Sequence, residues 1–554
     1  MRNSNWAART AVFDGVLLGA AALALRLPSF RTTNVFHPDE AMFVYNSLEL
    51  LSFSRWRPEH FWADLGLLLP AFYSLLAAGL VVSGKLASVS GLWAWYKANP
   101  VFFHLAGQCL VAGIGSATVV LLYAFCRRWF NRKAAWIAGA LLCVSFSHVR
   151  NSHFLTPDIL AAFLILGALG MTLEAAASQR MGTAAVAGLL AGAAMAAKFS
   201  AIPVILSLPA AFVGLYGWRG WRCRALWAGM FMPLAGFFLA SPYSFIFFPE
   251  FAQQFRHVTM SVIAKPGLAC PSPLTAYGLD LLPAGLGWPG FAAALAGIAA
   301  GLKHWKRFLP LYLFGLAYFV MLLKQPCCFE RYALPLLPLL ALSAGAAVAS
   351  ITSRWIFRVM VLLVLLTPLA YSIRFAQLSR RPDVRQEALA WLTSHVQPGE
   401  KIFLMWGTTG RGPATAVLWN GSNPVAMDQG LIDSKTLPAV TIGPFEQYRD
   451  YRWVVDNSYY RATALHPSTA EHYPALYQAY AQFYADLDRE GELVQTFSPM
   501  KPGKEWHFFA EDVYGPFGRL FERRQAGPEV KIYRLTPKPG AVPDKEVVYD
   551  VLGR

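Results

Sequence analysis

Charge is scarce in this chain. Only 14% of its 554 residues are Asp, Glu, Lys or Arg, against 56% that are hydrophobic. An ordinary soluble domain carries roughly 25% charged residues, so a soluble protein of this length is excluded. Acids are scarcer than bases, 32 against 48, which leaves a formal charge of +16. That excess does not form a nucleic-acid-binding patch, because most of the bases sit in short loops between apolar runs. Cysteine is sparse too. The seven are scattered and show none of the paired spacings that bind zinc. No short-period repeat or low-complexity tract appears, so solenoid and disordered classes drop out.

What the chain has in abundance is long apolar runs. A membrane-spanning helix needs roughly 20 consecutive apolar residues. Runs at about 12 to 29, 100 to 125, 135 to 150, 158 to 176, 182 to 197, 199 to 217, 226 to 248, 286 to 301, 308 to 323, 333 to 351 and 356 to 375 predict eleven spans. The first lacks a small-residue cleavage site and reads as a retained helix. The basic loops fall on one side under this count: Arg2 and Arg9, then Arg127 to Lys133, Arg219 to Arg224, Lys303 to Arg307, and Arg354 with Arg358. By the positive-inside rule that side is cytoplasmic, which puts the N-terminus inside and the C-terminus outside an inner (plasma) membrane. The apolar stretch Leu65 to Gly84 would reverse every later loop if it spanned, and is read as outer-face juxtamembrane helices.

After Phe375 the composition changes. Regular charges, Pro-Gly turns and short strand-like runs at 401–406, 453–455, 493–497 and 530–535 follow, with helical patterns at Val384 to His395 and Ala470 to Glu490. The expected fold class is therefore a multi-pass α-helical membrane protein with a C-terminal soluble α/β domain. Residues 1–376 form the membrane domain and 377–554 an extracytoplasmic one. Cys270, Cys327 and Cys328 fall in loops placed outside, where disulfides persist. A bridge from Cys270 to one of the other two and three thiols are both open readings.

Several charged residues gather at one membrane face under this topology. The first outer loop carries His37-Pro38-Asp39-Glu40, and the second runs from His148 through Arg150 and His153 to Thr156-Pro157-Asp158. Both patterns also suit plain helix starts. Lys198 interrupts an Ala/Gly-rich run at Lys198-Phe199-Ser200-Ala201-Ile202-Pro203, which predicts a broken helix beside a polar cavity. An ionisable residue there costs at least ~2.5 kcal/mol if unpaired, although snorkelling to the interface is an equal reading. Arg256 and His257 lie in a long outer loop. The last outer loop holds Glu330-Arg331-Tyr332, where Arg331 also has Glu330 as a ready partner. Carboxylates and cations on one face suit transfer from a lipid phosphate: the leaving group departs as an anion held by Lys and Arg, and an incoming hydroxyl needs a carboxylate base.

At these residues the sequence resembles the GT-C membrane glycosyltransferases, specifically glycosyltransferase family 39 and its aminoarabinose-transferase-like bacterial relatives. The resemblance rests on His37-Pro38-Asp39-Glu40, on Arg127-Arg128-Trp129-Phe130-Asn131-Arg132-Lys133, on His153 to Asp158, on Ala196-Ala197-Lys198-Phe199-Ser200, and on Glu330-Arg331-Tyr332-Ala333-Leu334-Pro335. It covers most of residues 10 to 376 and implies a polyprenyl-phosphate sugar donor, a hydroxyl acceptor (lipid, glycan or exported protein) and an inverting single displacement. Asp39 would be the base, with Glu40 and Asp158 helping. Lys198, Arg331, Arg256 and Arg150 would bind the donor phosphate, with His153, His257 and Tyr332 as further site residues. Gln108 stands where many members carry arginine, so that contact is either lost or supplied by Arg150. No cofactor and no nucleic acid are expected, and a divalent metal is left open. The Trp-Trp-Asp signature of oligosaccharyltransferases is absent. The competing class is a transporter or flippase of lipid-linked sugars, which usually pairs broken helices across inverted repeats. Only one clear break is visible here.

Overall fold

The computed structural model describes residues 2–28, 37, 39–51, 61, 67–260, 265–397, 400, 402–404, 427–429, 445–448 and 451–536. The chain forms two compact units. One comprises residues 1–28, 42–262 and 272–373; the other joins 374–554 to two short stretches, 29–41 and 263–271.

In the first unit the apolar runs are mostly helical over their described residues. Among the described residues, five helices of at least 18 residues are apolar enough to cross a membrane, or up to six if the pair Pro273–Leu286 and Trp288–Leu322, bent by 111°, is counted as one span. Shorter apolar helices stand beside them: Met181–Ala197 and Arg224–Ala240 have 17 residues each. At 1.5 Å per residue these rise only ~25 Å, under the ~30 Å hydrocarbon thickness. Leu68–Val82 is likewise a short apolar helix.

The helix ends follow from local chemistry. Asn131 accepts from the Ala134 amide at 2.9 Å and starts the Arg132–Val144 helix. Pro157 occupies the first turn of Pro157–Ser178, where its missing N–H costs nothing, and left-handed Gln179 ends that helix. Small residues then let helices touch. A Cβ on Gly192 would lie 2.0 Å from the Pro233 carbonyl oxygen, and one on Gly236 would lie 2.2 Å from that of Leu189. Backbone approach of this kind is how helices associate where no hydrophobic force separates them from lipid.

Two buried charges in this unit, Asp14 and Arg26, have polar partners on other helices. Asp14 in the first helix accepts from Tyr123 at 2.6 Å and from Arg132 at 2.7 and 2.8 Å. Arg26, fully buried at the end of the same helix, donates to the carbonyls of Leu142 and Cys143 at 3.0 Å and so caps the Arg132–Val144 helix. It also meets His148 Nδ1 at 3.0 Å.

The second unit holds a five-stranded sheet in the order β2-β1-β3-β5-β4. The strands are β1 (Ile402–Leu404), β2 (Met427–Gln429), β3 (Trp453–Asn457), β4 (Glu492–Phe497) and β5 (Val530–Arg534). β1 is parallel to β2 and β3, while β5 is antiparallel to β3 and β4. Strand alternation sends Trp453, Val455 and Ile532 to one face, under the Val384–His395 helix, and Val454 and Tyr533 to the other, under Pro474–Glu490. Helices on both faces of the sheet make this an α/β unit. Cys270 is disulfide-bonded; in the first unit Cys328 is disulfide-bonded and Cys327 is a buried thiol.

Candidate active site

The site in the first unit is built on a helix break. The Met181–Ala197 helix stops at Lys198, whose backbone is extended (φ −158°, ψ 122°), and the chain resumes as a tight 3-10 turn, Phe199–Leu206, containing Pro203. Proline has no N–H for the helical ladder and clashes with the preceding turn, so the break is written into the sequence. It presents the Lys198 ammonium to the Asp158 carboxylate, with which it forms a direct ion pair. Asp158 is buried in the first turn of its helix, where the macrodipole favours an anion. Thr156, at the capping position, makes no side-chain cap bond.

Tyr332 completes the cation's surroundings, its ring centroid 4.7 Å from Lys198 Nζ, within reach of the ring's negative face. The backbone around Tyr332 is clamped. Tyr318 donates to the Tyr332 carbonyl at 2.9 Å and lies 3.4 Å from the Ser200 hydroxyl, which ties this segment to the broken helix. Tyr277 donates to the Phe329 carbonyl at 3.4 Å. Arg150 donates to Glu330 Oε2 at 2.5 Å, and Asn151 donates to the same oxygen at 3.0 Å. Between these anchors sits Arg331, its guanidinium carbon 5.4 Å from the Phe329 ring centroid and 5.8 Å from that of Tyr332.

Asp158, Lys198, Arg331 and Tyr332 are thus brought together. Arg150 is close by, yet its side chain is 1% exposed and paired with Glu330. His153 is buried, with Nδ1 3.0 Å from the Val149 carbonyl. Arg256 is exposed on the Phe248–Met260 helix, and the side chain of His257 lies outside the described residues. Asp39 and Glu40 belong to the second unit. There the Asp39 amide donates to His37 Nδ1 at 3.1 Å, the Glu40 amide donates to the His37 carbonyl at 2.9 Å, and Glu40 is fully buried. Among the described residues no three His, Cys, Asp or Glu side chains are grouped to hold a metal ion.

Sequence reasoning missed the partnership of Arg150 with Glu330 and the clamps from Tyr277 and Tyr318. Glu330 was visible only as a neighbour of Arg331. Tyrosines inside apolar runs give no sign that their hydroxyls reach a distant carbonyl.

Comparison with known proteins agrees with this architecture. Residues 105–243, which contain Arg150, Asp158 and Lys198, match the family model of dolichyl-phosphate-mannose-protein mannosyltransferases. ArnT from Cupriavidus metallidurans, solved bound to undecaprenyl phosphate, superposes with a TM-score of 0.52 at 14% identity, over 96% of this chain and 98% of ArnT. The fold is that of the GT-C membrane glycosyltransferases. A second GT-C neighbour is the Archaeoglobus fulgidus oligosaccharyltransferase tethered to an acceptor peptide, with a TM-score of 0.52 at 14% identity, over 84% of this chain and 72% of that one. The archaeal oligosaccharyltransferase AglB from Archaeoglobus fulgidus, in complex with an inhibitory peptide and a dolichol-phosphate, gives 0.50 at 15% identity over 82% of this chain and 71% of that one. The GT-C scaffold is thus shared with an oligosaccharyltransferase although this chain lacks the Trp-Trp-Asp signature. No curated protein sequence matches the chain.

Proposed function

We propose that this protein transfers a sugar from a polyprenyl-phosphate carrier to a hydroxyl acceptor at the outer face of the inner membrane. The observation that carries the reading is the Lys198–Asp158 pair at a helix break, flanked by Arg331 and Tyr332. A lipid phosphate is a dianion or monoanion at the membrane surface, and such a cluster is what would hold it. The GT-C neighbours support the donor class, since one was solved with undecaprenyl phosphate and another with a dolichol-phosphate.

In the proposed reaction the acceptor oxygen attacks the anomeric carbon and the bond from that carbon to the phosphate oxygen breaks, with inversion. The electron pair leaves on the lipid phosphate, whose growing charge Lys198 and Arg331 stabilise. The hydroxyl proton passes to a carboxylate, assigned to Asp39, with Glu40 beside it in sequence. Asp158 holds Lys198 in place and keeps its charge balanced while the site is empty. Arg150 serves through Glu330, fixing the segment that carries Arg331 and Tyr332.

The test is the Asp39→Asn variant in nanodiscs. It keeps the shape but removes the base, so binding of undecaprenyl phosphate should persist while transfer from undecaprenyl phosphate carrying a labelled hexose or pentose falls about 100-fold to 10,000-fold. Near-normal transfer would remove the base assignment. Movement of the labelled lipid across proteoliposomes without any new glycosidic bond would replace the reading with a transporter.

A further inference from the structure

The second unit gives the His37–Glu40 turn a support from the far end of the sequence. His37 is buried and stacks on Tyr514, with ring centroids 4.9 Å apart and planes at 22°. Its Nδ1 takes the Asp39 amide proton at 3.1 Å. A backbone N–H can only donate, so this nitrogen acts as acceptor and the orientation of the imidazole fixes where the Asp39 backbone lies.

Tyr514 is itself rigidly mounted. It ends the 3-10 turn Ala510–Tyr514, and Gly515 follows at φ 117°, a conformation that side-chain-bearing residues rarely adopt. Asp512 in that turn accepts from the amides of Phe517 and Gly518 at 2.8 and 3.0 Å and from Arg523 at 2.5 Å. Arg523 also donates to the Gly518 carbonyl at 2.9 Å. The side chains of this ion pair are 0% and 2% exposed. A Cβ on Gly518 would lie 2.4 Å from the Phe509 ring, so the loop is closed tightly on itself.

We propose that Tyr514, set by the Asp512–Arg523 knot, is a positioning residue for Asp39, acting through the stacked His37 ring. The C-terminal domain then has a part in transfer without touching substrate. The inference rests on Asp39 being the base. Geometric placement of a reacting group by 1 Å is worth about 100-fold in rate, and a turn that loses its stacking partner moves on that scale.

The experiment compares Tyr514→Ala and Tyr514→Phe in the full-length protein in nanodiscs, using undecaprenyl phosphate carrying a labelled hexose or pentose. Tyr514→Ala should lower kcat about 10-fold to 100-fold, leave KM for the lipid donor within about 2-fold, and raise hydrogen exchange at the Asp39 amide. Tyr514→Phe keeps the ring face and should stay near the parent in all three. If Tyr514→Ala fails to fold, Tyr514→Leu fills the space without a flat ring and must show the same split. A folded Tyr514→Ala or Tyr514→Leu with full kcat, or a Tyr514→Phe as slow as the alanine variant, overturns the inference. Asp39→Asn run alongside separates the two ideas: full activity there sinks the base assignment, whereas an inactive Asp39→Asn with an active Tyr514→Ala sinks only the positioning role.

Discussion

Replacing Glu330 by glutamine tests whether the clamp on the Arg331 segment is electrostatic. In the parent, Arg150 and Glu330 are each 1% exposed and 2.5 Å apart, with Asn151 bonded to the same carboxylate oxygen. Glu330→Gln keeps the shape but takes the carboxylate charge away from a buried guanidinium. Removing one partner of a buried pair costs about 3–5 kcal/mol, where an exposed pair would cost about 0–1. The other clamps, from Tyr277 and Tyr318, contribute about 1 kcal/mol each as net hydrogen bonds. The loss therefore exceeds what holds the segment from the other side, and the 3-10 turn Glu330–Leu336 should open locally before the unit unfolds. Expected results are faster hydrogen exchange confined to residues 329–336, a lower thermal midpoint in detergent, and weaker binding of undecaprenyl phosphate. The double variant Arg150→Met with Glu330→Met removes both charges and should recover most of the midpoint, since well-packed apolar replacements of buried pairs are often neutral. A Glu330→Gln protein as stable and as well protected as the parent would refute the reasoning. So would a double variant no better than the single one, because the loss would then be packing and not charge.

The Lys198–Asp158 pair calls for a double-mutant cycle. Lys198→Ala should weaken binding of undecaprenyl phosphate and slow transfer, because the phosphate contact exists in the ground state and strengthens as charge develops. Adding Asp158→Asn removes the stranded carboxylate: recovery of binding in the double variant would mean that Lys198 serves only to neutralise Asp158, and persistent loss supports the phosphate contact. A further prediction concerns Asp456 on β3, whose buried carboxyl is raised to about 6, chiefly by desolvation, against the pull of Arg461. A folded pKa above the unfolded 3.8 means the contribution to stability is complete below pH 3.8 and is lost as pH rises to about 6, a change of about 3 kcal/mol. Hydrogen exchange at Val454 and Val455 in the full-length protein, corrected for intrinsic rates, should show more protection at pH 4.5 than at pH 7, and Asp456→Asn should abolish the difference. Equal protection at both pH values would refute the assignment.

Much of the fold was legible because its signals are local. Apolar runs report helices wherever they occur, and Pro203 after Lys198 announces the break that the backbone makes at Lys198. The alternation around Val454 and Ile532 revealed strands, and the Val384–His395 helix was read to its ends. β2 was missed because Met427–Gln429 is three residues long and has neither β-branched nor aromatic side chains. Partnerships were another matter. Asp158, Lys198, Arg331 and Tyr332 were picked out singly for their charge or place, but nothing local says that Lys198 meets Asp158, 40 positions away, or that Arg150 meets Glu330, 180 away. The stacking of His37 on Tyr514 spans nearly the whole chain and has no local signal at all.

Exposure separates the buried charge proposed to bind substrate from those proposed to hold helices together. An ionised group among apolar helices must be matched, and Arg26, Arg150 and Lys198 are matched in different ways. Arg26 is fully buried and spends its guanidinium on helix-end carbonyls and His148. Arg150 is 1% exposed against a carboxylate that is 1% exposed. Neither leaves a face to which a phosphate could come without opening the fold. Lys198 is 19% exposed while its partner Asp158 is 4% exposed, so the carboxylate is sealed within the fold while part of the lysine side chain reaches its surface. Its flexible stem can follow a phosphate that arrives and leaves, where the planar fork of Arg150 is held by the buried Glu330 carboxylate. Exposure, added to the break that places Lys198, is why the donor phosphate is assigned to Lys198 and why Arg150 is given the work of holding the segment beside it.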